Sequence, residues 1–235
     1  MAYSLWVRRH TWRSRWEIGA SCGILLEGCA LVLMSPWASA VVGPPLHRIT
    51  GLWNLQTMLG HLCLIAAIAS VVHHILVRLT DDHQLRALFH SRITVPVRFG
   101  VLLLVPAFVI AGERSQPDLF SADLAGGRLT GYWLVAGSLI IYLSTYGGRA
   151  LLILRPDPRA TATVNTYLAS SAFGVAGSML QMSTAWSARD VSPGVWLCAC
   201  LAVSTFAYGS ARSWQAKVAW FTPEHPRPVP PQPST

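Results

Sequence analysis

Residues 13–42 read RSRWEIGASCGILLEGCALVLMSPWASAVV: two arginines, a tryptophan, then a long, mostly apolar run with one carboxylate in its interior, Glu27. An apolar helix of about 25 residues crosses the roughly 30 Å hydrocarbon core of a bilayer. Arginines ahead of such a run hold its N-terminal end in the cytoplasm. The same plan recurs down the chain. It predicts an all-α fold, a polytopic bundle of six transmembrane helices at about residues 16–42, 52–77, 95–111, 129–154, 162–186 and 195–216. A basic cytoplasmic arm (1–15) precedes them and a proline-rich cytoplasmic tail (217–235) follows. Pro106 lies inside the third and shortest span, where it removes one backbone hydrogen bond and kinks the helix. Between spans two and three, Thr80-Asp81-Asp82 has the form of a helix N-cap. It predicts a short amphipathic helix over 81–91 lying in the headgroup layer.

Two patterns fix the orientation. With the N-terminus inside, about 14 of the 18 Lys and Arg fall on the cytoplasmic side and about four outside. All ten tryptophans fall at or just beyond the expected span ends, where indole rings prefer to sit. Both termini are therefore expected in the cytoplasm.

Charged residues make up 12% of the 235 residues, about half the usual share of a soluble domain, and apolar residues 52%. So few charges cannot supply a wetted surface. The net charge of +8 does not point to nucleic acid, because the basic residues punctuate apolar runs instead of lining one face. Their natural partners are the lipid bilayer itself and the anionic headgroups of its cytoplasmic face. Arginine supplies all of the basic residues except Lys217, which hints at a GC-rich bacterial genome and places the chain in a bacterial plasma membrane. The five cysteines lie inside apolar runs and read as small buried hydrophobes, not as disulfides.

Four residues form a candidate intramembrane polar site: Glu27, His61, Arg149 and Gln181. An ionised carboxylate at mid-membrane costs about 2.5–3.5 kcal/mol on insertion scales, so Glu27 takes first place. It serves either as a proton or cation site or as a hydrogen-bonding tie between helices. His61 is a hydrogen-bond donor within the bundle. Arg149 either snorkels to the interface or acts as counter-ion to Glu27. Gln181 and Asn54 line a cavity or bridge helices. In span five, Ser170, Gly174 and Ser178 recur every four residues, a small-residue face suited to close helix packing.

No cofactor is implied. His61 and His74 lie 13 residues apart on one span, but no other span carries a histidine to complete a bis-histidine haem. The spacings of His73, His74, Asp82, His83 and His90 match no compact zinc pattern. Phosphate-binding loops, nucleophile elbows and HExxH motifs are absent from the sequence, and the loops are too short for a soluble catalytic domain. The chain is expected not to be an enzyme.

Residues 13 to about 159 resemble an uncharacterised actinobacterial family of integral-membrane proteins that carries a transporter label. The likeness rests on the basic arm and first apolar span and on Leu46-His47-Arg48-Ile49-Thr50-Gly51-Leu52-Trp53-Asn54. It continues through Leu59-Gly60-His61 and Gly131-Tyr132-Trp133. That resemblance implies location and span order and carries over no residue roles. The expected function is that of a non-enzymatic accessory, regulatory or partner-binding bundle, its partner another membrane protein or a second copy. The alternative is a small transporter or channel subunit that uses Glu27.

Overall fold

The apolar runs form helices, and the residues between them shape how those helices turn. The computed structural model describes residues 1–9, 17–111, 115–121, 127–187 and 189–221. The helices are α1 (Ala2–Val7), α2 (Ile18–Met34), α3 (Pro36–Val41), α4 (Gly43–Thr50), α5 (Leu55–Leu76), α6 (Asp82–Phe89), α7 (Val95–Ala111), α8 (Thr130–Leu154), α9 (Thr161–Ser183) and α10 (Ser192–Phe221). Among the described residues there is no strand. Most of the proline-rich tail, part of the basic arm and parts of the connections before α8 and before α10 lie outside the described residues.

The first span is shorter than its sequence predicts. Residues 16–42 do not form one rod, because α2 stops at Met34 and the extended Ser35 starts α3. Pro36 cannot continue the helix hydrogen-bond ladder, and the Ser35 hydroxyl caps the new helix by accepting from the Ala38 N–H at 3.3 Å. The expected loop after it is also helical: α4 ends at Gly51, whose φ of +73° is a left-handed cap that suits glycine. The predicted amphipathic helix is present as α6, capped by Asp81 through the Gln84 N–H at 2.8 Å. It does not stand apart, however. A π-turn over His90–Thr94 joins it to α7, giving one continuous rod from Asp82 to Ala111.

Four helices are long and apolar enough to cross a membrane: α5, the α6–α7 rod, α8 and α10. At 17 residues α2 is apolar but short, about 26 Å at 1.5 Å per residue. α9 has 23 residues, but its composition is diluted by Thr161, Thr163, Asn165, Thr166, Ser170 and Ser171. The molecule is thus an all-helical bundle with membrane-length apolar helices.

Five helices close a ring in the order α2, α5, α8, α9, α10 and back to α2, with α7 packed outside on α8. α2 and α5 run antiparallel at very close approach. A Cβ on Gly60 would stand 2.6 Å from Met34 Cγ and 3.1 Å from the Ala30 carbonyl oxygen. The outer side of α7 exposes Phe99, Leu102, Val109 and Ile110, an apolar face fit for lipid.

The start of the chain does not lie free as a basic arm. α1 folds back along α2, so that the Met1 side chain meets the Gly28 position, and it also packs on α10. Arg8 behind it is only 1% exposed. Its guanidinium donates to the Glu17 carboxylate at 2.8 Å, to the Ser21 hydroxyl at 3.2 Å and to the Ser210 carbonyl at 3.2 Å. Arg78, at 3.3 Å, and Lys217 also donate to Glu17. One carboxylate thereby ties α2 to α1, the end of α5 and α10.

Candidate functional site: a cavity inside the helix ring

Each helix of the ring turns one stripe inward. On α2 the residues Ala20, Ile24, Glu27, Leu31 and Met34 recur at three- and four-residue steps, so they share a face. Glu27 is on that face because its register puts it there. The stripe on α5 carries His61, Leu64 and Ile68; the stripe on α9 carries Ser170, Gly174, Ser178 and Gln181. Small residues on α9 leave space where larger ones would fill it. The result is a cavity of about 120 Å³. Its walls include Glu27, His61, Trp133, Gln181 and Val203, one from each helix of the ring, and Phe120 from the connection before α8.

The polar atoms of this cavity have few protein partners. Glu27 is 7% exposed and Gln181 4%. Glu27 Oε2, both amide atoms of Gln181 and Trp133 Nε1 are buried without a hydrogen bond. Leaving such a group unpaired in a protein interior costs about 1–3 kcal/mol. No lysine or arginine lines the cavity, and among the described residues no cation pairs with Glu27.

His61 is different. Its Nδ1 lies 3.0 Å from the Thr57 carbonyl oxygen and 2.9 Å from the Tyr132 hydroxyl oxygen. A carbonyl can only accept, so the first contact assigns the ring proton to Nδ1. The ring is also boxed edge-on by Phe120, Tyr132 and Trp133, with centroids 5.4–6.0 Å away. His61 is thereby fixed in orientation. Phe120 stacks on Trp133 at 5.4 Å and meets Trp196 edge-on, and Trp196 Nε1 donates to Asp118 at 2.9 Å. Of these rings, Phe120 and Trp133 line the cavity.

Three of the four candidate residues, Glu27, His61 and Gln181, therefore converge on one space. Arg149 does not join them. It lies five residues beyond Ser144, turned about 140° around α8, and is exposed. Asn54 does not line the cavity either; its side-chain oxygen accepts from the Gln116 N–H at 3.0 Å and pins the loop before α8. His74 contacts Arg78 at 3.1 Å and His73 meets Phe89 edge-on, so the two adjacent imidazoles turn to different neighbours.

Trp133, Phe120 and Phe173 are cavity residues that sequence reasoning did not single out. Trp133 was expected in the interface belt. It does lie in the first turn of α8, but turned toward the ring and buried, whereas Trp6, Trp37 and Trp186 are exposed. The signal that separates them is the three- and four-residue stripe that Trp133 shares with Ala136, Ile140 and Ser144. No protein-family model, curated protein or solved structure matches the chain.

Proposed function

We propose that this chain is a non-enzymatic, multi-pass protein of the bacterial plasma membrane that binds a small, mainly apolar molecule in the cavity inside its helix ring. Six helices cross the bilayer in this reading, with both termini in the cytoplasm; the Lys/Arg asymmetry of the loops supports that orientation. The observation that carries the ligand is the set of buried, unpaired polar atoms on an otherwise apolar cavity wall: Glu27 Oε2, the Gln181 amide and Trp133 Nε1. Ligand sites have this composition, apolar walls with a few convergent polar groups.

A role that depends on an outside partner has less support. The small-residue face suited to helix association, Ser170, Gly174 and Ser178, is turned inward to the cavity. The Ser170 hydroxyl donates to the Ala202 carbonyl of α10 at 2.8 Å, so the close packing is already used inside the chain. The carrier reading, in which Glu27 handles the ligand, is favoured over the accessory-subunit reading for that reason.

Native mass spectrometry of the protein extracted in mild detergent tests the proposal. A small molecule retained at one copy per chain, and lost when Gly174→Leu fills the cavity, is the expected result. Identical spectra for the two proteins, with nothing retained in either, would overturn it.

A further inference from the structure

We infer that the ligand of this cavity is a small lipophilic cation, an amine carrying one ring or short chain, whose ammonium group is held by Glu27. This rests on the reading of the cavity as a ligand site and adds the charge of the ligand to it.

Three features of the wall select that class. The first is charge. Glu27 is the one ionisable acid on the wall, and its Oε2 has no donor. No lysine or arginine lines the space with it, and the one imidazole there, His61, has its Nδ1 on the Thr57 carbonyl and not on Glu27. A carboxylate without a counter-charge at membrane depth carries a penalty that an ammonium partner removes. An anionic ligand would add to that penalty.

The second is the character of the remaining surface. Trp133, Phe120 and Phe173 supply aromatic walls. Ring faces attract ammonium groups, most strongly when water is excluded. The Gln181 amide oxygen, buried and unpaired, adds a second acceptor for an N–H donor. An inorganic cation is a poor alternative. Hard metal ions are held by clustered carboxylates, and this wall is mostly apolar with Glu27 as its single carboxylate; among the described residues no three metal-ligating side chains come together.

The third is size. At about 120 Å³ the cavity is of the order that holds a single benzene-sized ring. A benzylamine-sized molecule therefore fits the volume and the charge together.

The experiment compares benzylamine, benzyl alcohol and benzoate, which share one ring and differ in charge, by titration calorimetry on the full chain in mild detergent. The Gly174→Leu protein in the same detergent sets the baseline for partition into micelles. Benzylamine is expected to bind at least tenfold more tightly than benzyl alcohol, and benzoate not at all. Glu27→Gln should bring benzylamine down to the level of benzyl alcohol. If benzylamine and benzyl alcohol bind the unmodified protein equally, and Gly174→Leu abolishes both, the cavity is a ligand site but the cation inference is wrong. If none of the three binds above the baseline, both readings fall. The three-ligand comparison on the unmodified chain decides the charge preference even where Glu27→Gln fails to fold.

Discussion

Glu17 and Glu27 lie ten residues apart on the chain and are both buried, yet their surroundings are opposite. Glu17 has three cations on its carboxylate: Arg8, Arg78 and Lys217. Glu27 has none among the described residues, and its Oε2 has no hydrogen-bond partner there. The first carboxylate is an anchor whose charge is already matched by neighbouring elements. The second is set among small and aromatic residues in a space of ligand size. Burial alone does not separate the two acids; the count of counter-charges does.

The largest test of that contrast is Glu17→Gln. Removing one partner of a buried ion pair costs about 3–5 kcal/mol, because the other charge stays behind unpaired. Here Arg8 would be left almost fully buried. Thermal unfolding in detergent should show a large drop in Tm. Glu27→Leu should raise Tm, corresponding to a gain of about 1–3 kcal/mol, since the substitution removes a buried polar atom without a partner. Equal losses for the two variants would erase the distinction.

Next in size is Gly60→Ala. The added methyl would press on Met34 and on the Ala30 backbone, an overpacking cost of about 1–3 kcal/mol. It should lower Tm by less than Glu17→Gln does, read by the same thermal unfolding in detergent. Trp133→Phe is the mildest, within about 1 kcal/mol, because deleting an N–H that has no partner offsets part of the packing lost when the indole shrinks to a phenyl ring. Quenching of the intrinsic fluorescence by an added ligand should weaken in this variant and persist in Trp186→Phe.

The helical class and most helix positions could be read from the apolar runs and their arginine flanks. α8 begins within one residue of its expected start and ends where expected. The break at Ser35-Pro36 was legible in principle, since proline ends a helix at the residue before it. An apolar run on both sides hid it. The candidate site was only partly legible. Glu27, His61 and Gln181 stand out as polar residues in apolar runs, but their convergence depends on how five helices close into a ring. That closure is a matter of tertiary packing. Arg149, read either as snorkelling or as a counter-ion to Glu27, is turned away from the cavity by the facing of α8. The clamp on Glu17 was harder still, for it joins Arg8 to a carbonyl 202 residues away.

That separation governs the order in which the molecule can be completed. At a synthesis rate of roughly 5–20 residues per second, α10 leaves the ribosome on the order of 10–40 s after Arg8 does. During that interval the Ser210 carbonyl and the Lys217 amine do not yet exist beside Glu17. The first helix and the last are therefore sealed to each other late, and a chain cut short before Ser210 would leave the opening guanidinium without its final fastening.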